Sequence, residues 1–306
     1  MLNDHNKISI VGCGKVGMTA AYAITLSGLA NELVLVSRDK DRIDGEELDL
    51  EHGSMFLKHL EVIASNDYRD IKNSDVVVVT AGAAQKPGET RLDLTQKNLA
   101  IIDDIIPKIV KHSPGSIILI VSNPVDLLSY RAYKIADLPK GRVFGSGTSL
   151  DTARFRFHLS EFMGVNPRSI HAYVLGEHGD SSFPVISSAV VGGQLLSTFP
   201  GFSKEKVMKA YEKTKDAAYK IIQAKGATYY AIGTVVSHIV RSILRDSKSV
   251  SPASIPLHNY HGHSGIALSV PCVIGRNGVE DSLEIKLDWE EKKALEHSVN
   301  TLKGYL

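Results

Sequence analysis

The run Ile8-Ser-Ile-Val11, then Gly12-Cys-Gly-Lys-Val-Gly17, then small and apolar residues at helical spacing over 18–28, decides how the rest of the chain is read. It reads as strand, tight turn and helix. Gly12-x-Gly14-x-x-Gly17 has the spacing of a dinucleotide-binding turn. Gly12 permits the turn, Gly14 lets the backbone approach a pyrophosphate, and Gly17 lets helix and strand pack closely. The helix N-terminus offers free N–H groups and its positive dipole end to the phosphates. Such a turn is weak evidence alone, but here it follows the first strand and opens a βαβ pattern.

Outward from that turn, strand-like runs alternate with helical ones. Residues 33–36, 61–64, 76–79 and 117–121 read as strands, and Val76-Val-Val-Val79 has the continuous apolar character of a parallel strand buried on both faces. Residues 40–52 and 92–111 read as helices, the second with Pro107 as an expected kink, and 81–91 reads as a Gly- and Pro-containing loop. This predicts a Rossmann-type, doubly wound parallel sheet over 1–145. After residue 145 the texture changes. Helices over 149–164, 204–222, 229–245 and 289–302, with strands over 170–175, 267–274 and 280–286 and a hairpin over 185–196 around Gly192-Gly193, predict a separate α+β half over 146–306.

At the end of the second strand, an NAD-binding chain places a carboxylate for the ribose 2′-hydroxyl. Ser37 and Arg38 stand there instead, and Asp39 comes two residues late. Ser37 can donate a hydrogen bond and Arg38 can make charge-assisted bonds to a 2′-phosphate. The pair leans toward NADP or dual use of NAD and NADP; the alternative is that Arg38 is a solvated loop residue and NAD binds there.

The 306 residues carry 35 Lys and Arg against 34 Asp and Glu, with 43% hydrophobic residues. That balance gives no reason to expect nucleic acid as a partner. The apolar runs fall far short of the ~20 residues that span a bilayer. Two cysteines, a polar start and no secretory signal suggest a reducing, cytoplasmic setting. No cluster suggests a metal.

Asp151 and Arg154 lie three apart on a predicted helix and share a face. Arg154 could grip a carboxylate and Asp151 could orient and charge a histidine. His178 sits in Gly176-Glu-His-Gly-Asp180 at a strand end, and Arg91 sits in the loop with Pro87 and Gly88. Each alone has an ordinary explanation, a surface histidine or a helix salt bridge. Together, Gly12–Gly17, Gln85-Lys-Pro-Gly-Glu-Thr-Arg91, Val121-Ser-Asn-Pro124, Leu150-Asp-Thr-Ala-Arg154 and Gly176-Glu-His-Gly-Asp180 resemble the lactate/malate dehydrogenase family, nearest its bacterial L-lactate dehydrogenases.

The resemblance implies nicotinamide-linked interconversion of a 2-oxo acid and an L-2-hydroxy acid. It makes His178 the proton donor and acceptor, Asp151 its partner, Arg154 the carboxylate clamp and Arg91 the group polarising the substrate carbonyl. Asn123 then lies near nicotinamide and substrate and precedes a cis proline, Thr228 lines the substrate pocket, and Ile232 packs on the nicotinamide. Malate enzymes of the family carry arginine where this chain has Gln85, so a monoanion such as pyruvate is expected over oxaloacetate. Arg156 and His171 face away from the expected pocket and match the positions that bind fructose 1,6-bisphosphate in allosteric members, across a subunit interface. That implies a homotetramer with this effector. The alternatives are a malate or other L-2-hydroxy acid dehydrogenase, and a non-catalytic nicotinamide-binding sensor, which would not need His178, Asp151, Arg154 and Arg91 together.

Overall fold

The computed structural model describes residues 5–83 and 91–305, with the backbone alone for 91 and 92. In the first half the elements are β1 (Lys7–Val11), α1 (Lys15–Leu26), β2 (Glu32–Val36), α2 (Lys40–His52), β3 (Glu61–Ser65), β4 (Val76–Val79), α3 (Arg91–His112), β5 (Ile117–Ile120), α4 (Val125–Ala136) and β6 (Val143–Gly145). In the second they are α5 (Ser149–Met163), β7 (Ile170–Leu175), β8 (Phe183–Val191), β9 (Gln194–Leu195), α6 (Lys204–Lys225), α7 (Tyr230–Leu244), β10 (Ser249–Pro256), β11 (Ala267–Gly275), β12 (Gly278–Ser282) and α8 (Trp289–Lys303).

β3, β2, β1, β4, β5 and β6 lie side by side in that order, all parallel. This is the doubly wound arrangement the alternation predicts, and its order reverses between β1 and β4, where a crevice opens at the strand C-termini. Side chains alternate by face as a period of two requires. Ile8, Ile10, Leu33, Leu35, Val76 and Val78 enter one core, with α1 and α7 over them. Val11, Val34, Val36, Val77 and Val79 enter the other, beneath α3 and α4. Each such side chain, fully withdrawn from water, contributes about 1.5–3 kcal/mol.

The second half is less separate than its sequence texture suggests. β10, β11 and β12 extend the same sheet antiparallel beyond β6, giving nine strands, with Ser254 of β10 opposite Gly145 of β6. β10 was illegible because Pro252 and Pro256 demote a strand reading. Pro252 faces Pro271 of β11, so the two missing N–H donors fall at one level of the ladder. β7, β8 and β9 form a small antiparallel sheet under α5 and α6, with the turn at Gly192-Gly193 as expected. α7 crosses α1 closely: a Cβ on Gly233 would lie 2.7 Å from Thr19 Cγ2.

Two local expectations change. Arg91 opens α3 rather than ending the preceding loop, and that helix runs through Pro107 to His112. α4 and β6, which follow Asn123-Pro124, are further elements. No helix of the described residues is long and apolar enough to cross a membrane.

Candidate active site

The three glycines of the first turn meet three different environments. Gly12 has φ +100°, and a Cβ there would stand 2.3 Å from the Ala81 nitrogen. A Cβ on Gly17 would stand 2.2 Å from the Gly12 carbonyl oxygen, while one on Gly14 would meet nothing within 4 Å. Only Gly14 therefore borders open space, at the edge where a pyrophosphate would lie. Gly14 is also the N-cap of α1 and gives no side-chain cap to its first-turn N–H groups. These features fit a dinucleotide phosphate. Thr80, at the end of β4, closes the turn by donating its hydroxyl to the Gly12 carbonyl. Cys13 is buried beneath it, and burial pushes its thiol up to about 12, so it is an inert packing group.

β2 delivers Ser37 and Arg38 to the C-terminal edge of the sheet. The Ser37 N–H donates to the Ser65 carbonyl at 2.9 Å, and its side chain stays half-buried. Arg38 is exposed. Asp39 is committed elsewhere: as the N-cap of α2 it accepts from the Arg42 N–H at 3.2 Å.

Asp151, Arg154 and His178 are brought together within the second half. α5 carries Asp151 and Arg154 in its first turns. β7 runs out at Leu175 into Gly176, whose φ of +90° turns the chain and whose missing Cβ makes room for Ser298 Oγ. His178 follows, and its Nδ1 lies 2.6 Å from Asp151 Oδ2. Arg154 Nη1 donates to the other oxygen, Oδ1, at 3.3 Å. Arg154 Nη2 is buried and has no hydrogen-bond partner among the described residues. A buried guanidinium nitrogen without an acceptor is costly, so this atom marks where an anionic ligand group belongs.

Electrostatics favour a charged pair. Burial opposes a charge on His178, but the carboxylates of Asp151 and Asp126 outweigh it and raise the imidazole to about 9. Burial would raise Asp151 too; His178 and Arg154 together hold its carboxyl below the ordinary range.

His178, Asp151, Arg154, Asn123, Thr228 and Ile232 all line one cleft of about 320 Å³, with Val16 of the glycine turn at its edge. Reading the residues singles out His178, Asp151 and Arg154; Asn123, Thr228 and Ile232 are implied by the family resemblance alone. Asn123-Pro124 is a cis peptide. Gln85, and the side chain of Arg91, lie outside the described residues. Arg156 and His171 are absent from the cleft: Arg156 Nε donates to the Ala172 carbonyl at 2.9 Å, its guanidinium stands 5.2 Å from the Tyr173 ring centre, and His171 is exposed on β7.

Several supporting residues escaped the sequence reading. Asp126 accepts from the His178 N–H, and Asn98 joins the cleft floor together, with Oδ1 accepting from the Ala83 N–H and Nδ2 donating to the Asn123 carbonyl, both at 2.7 Å. α6 closes the outer wall through Lys215, which donates to the Asp180 carbonyl at 2.9 Å, and Tyr219, which donates to the Asp180 carboxylate at 3.1 Å. Their one sequence signal is Asp126, three residues after Asn123 in the first turn of a helix.

The chain's similarities agree with this geometry. Residues 6–145 match the lactate/malate dehydrogenase NAD binding domain, and residues 148–306 match the lactate/malate dehydrogenase alpha/beta C-terminal domain. It is 45% identical to L-lactate dehydrogenase 1 of Clostridium acetobutylicum, across 100% of this chain and 99% of that protein. It is also 45% identical to an L-lactate dehydrogenase of Thermoanaerobacter pseudethanolicus, across 98% of each. Among solved structures it resembles the minor L-lactate dehydrogenase from Enterococcus mundtii in its ligands-bound form, with TM-score 0.95 and 37% identity over 99% of this chain and 98% of that one. A lactate dehydrogenase, MGS-M5, from a Medee basin deep-sea metagenome library matches with TM-score 0.94 and 39% identity, again over 99% and 98%. A glycine turn built for a dinucleotide, a charged histidine–aspartate pair, and full-length matches to both domain families establish that the chain belongs to the lactate/malate dehydrogenase family.

Proposed function

We propose that this chain is an L-lactate dehydrogenase that interconverts pyruvate and L-lactate with a nicotinamide cofactor, across a cleft between 1–145 and 146–306. The observation that carries the reading is the buried Nη2 of Arg154, without a partner among the described residues, beside the Asp151–His178 pair. A carboxylate held by Arg154 would present the neighbouring carbon oxygen to His178. With Nδ1 engaged by Asp151, His178 has Nε2 left for that oxygen, donating a proton during reduction and accepting one during oxidation. The cofactor, when bound, supplies or takes up the hydride. Asn123, Thr228 and Ile232 would shape the pocket around substrate and nicotinamide. By family resemblance, Arg91 stabilises the charge growing on the oxygen.

Gln85 supports pyruvate over oxaloacetate, because a second carboxylate enclosed beside a neutral amide would lack its own cation. Ser37 and Arg38 support use of NADP as well as NAD, since no carboxylate stands there to repel a 2′-phosphate. Arg156 and His171 support activation by fructose 1,6-bisphosphate in a homotetramer. Initial rates with NADH and with NADPH, on pyruvate and on oxaloacetate, test the reading. The expected order places pyruvate first and gives a measurable rate with NADPH; a higher kcat/KM on oxaloacetate replaces the substrate assignment with malate, and no rate with NADPH removes the role given to Arg38.

A further inference from the structure

Below His178 lies a second carboxylate that its partnership with Asp151 does not explain. Asp126, in the first turn of α4, is 2% exposed. Its Oδ2 accepts the His178 peptide N–H at 2.7 Å, and its Oδ1 accepts the Ser254 hydroxyl at 2.6 Å. These bonds join three segments at one point: the Asn123-Pro124 loop that leads into α4, the loop carrying His178, and β10. Both donors are neutral. An asparagine would satisfy them equally well, its oxygen accepting from His178 and its amide donating to Ser254. Burying a carboxylate where an amide would serve is costly, so the charge itself needs a use.

We infer that Asp126 is a positioning residue for proton transfer: it ties the His178 backbone to α4 and β10, and its negative charge joins that of Asp151 in keeping the imidazole protonated. The inference rests on His178 being the proton donor. Other groups bear on the same ring. Asp151 from α5 favours its charge, Arg154 from α5 opposes it, Glu177 precedes it in the loop, and Asp180 and Lys215 line the cleft. Burial pushes Asp126 itself up to about 6, against the pull of the Ser254 hydroxyl and the His178 N–H. It is therefore ionised at neutral pH, where it can act on His178.

The test is Asp126→Asn, which keeps both hydrogen bonds and removes the charge. Two readouts are needed: the pH dependence of kcat/KM for pyruvate at saturating NADH, and the titration of the His178 imidazole by NMR on histidine-labelled protein, its signal identified by loss in His178→Gln. The inference expects the alkaline limb and the imidazole midpoint to move to lower pH together, by about one unit, with kcat at acid pH little changed. If Asp126→Asn does not fold, Ser254→Ala serves, since it keeps the charge but removes a donor that favours it. Asp126 then takes up its proton at higher pH, and the minor inflection it imprints on the His178 resonance moves upward. A His178 titration that superimposes on the wild type in the folded variants overturns the inference. Wild-type protein that reduces no 2-oxo acid, with the imidazole shift still present, would fault the functional reading and leave the electrostatic link standing.

Discussion

Asp151 Oδ2 lies 2.6 Å from His178 Nδ1, and this contact orients the imidazole and gives the larger carboxylate contribution to its charge. With the pKa raised to about 9, His178 is protonated throughout the neutral range. With His178 as the proposed proton donor, pyruvate reduction needs the protonated ring, so its kcat/KM should fall as pH rises through about 9, while lactate oxidation should gain over the same interval. His178→Ala should lower kcat by ~10²–10⁴-fold in both directions. Retention of near-normal kcat would remove His178 from the mechanism. The same shift is a stability statement. Because the folded pKa lies above the unfolded one, near 6.5, the stabilisation is complete below about 6.5 and is lost as pH rises through about 9. Thermal melts of wild type and His178→Gln should therefore converge as pH rises across that interval.

Arg154 makes a narrower prediction. One terminal nitrogen is spent on Asp151 and the other is buried without a partner among the described residues. Arg154→Lys keeps the charge but cannot reach Asp151 and a substrate carboxylate at once. KM for pyruvate should rise by ~10-fold or more, the worth of one charge-assisted hydrogen bond. NADH affinity, measured by fluorescence, should change little. A KM left near the wild-type value would mean that the carboxylate binds elsewhere.

What the sequence made legible was local. Gly12–Gly17 and Val76–Val79 announce themselves because a turn and a doubly buried strand each leave a short, contiguous pattern. The long-range joins leave none. Ser254 opposite Gly145, which carries β10 onto the parallel sheet, sits in a proline-containing run that argues against a strand. Asn98 and Asp126 are polar residues in helices, and their targets, Ala83, Asn123, His178 and Ser254, lie up to 128 positions away. Only the fold shows that they are buried and bonded. His178, Asp151 and Arg154 became a set through family resemblance, and their distances now give that set physical content.

The glycine turn separates folding from binding. Gly12→Ala forces a side chain into positive φ and onto the Ala81 backbone, so it should destabilise the protein by several kcal/mol and lower Tm sharply. Gly14→Ala meets nothing within 4 Å and should leave Tm nearly unchanged. Its methyl group instead occupies space at the phosphate edge, so NADH affinity should weaken by ~10-fold or more, since crowding a well-packed contact costs about 1–3 kcal/mol. Calorimetry and NADH titration on both variants check this. Equal NADH affinity in wild type and Gly14→Ala would move the pyrophosphate away from this turn.

The effector prediction concerns a different face. Arg156 is anchored on the Ala172 carbonyl, next in sequence to His171, and burial lowers its pKa against the opposing pull of Tyr173. An arginine held half-buried next to an exposed histidine is a place where a phosphate gains more than it would at a solvated surface. Neither residue lines the cleft that holds His178, so in the proposed tetramer an effect on pyruvate would pass through an equilibrium between two states, and only by the ligand's differential affinity for them. Fructose 1,6-bisphosphate should lower the KM for pyruvate or straighten a sigmoidal saturation curve. The effect should be smaller at high salt. Arg156→Gln combined with His171→Gln should abolish activation while leaving the unactivated kcat intact, and sedimentation should show the bisphosphate favouring a tetramer in wild type alone. A wild-type saturation curve and assembly state both indifferent to the bisphosphate would leave Arg156 as a strut between α5 and β7, held by the Ala172 carbonyl and the Tyr173 ring and nothing more.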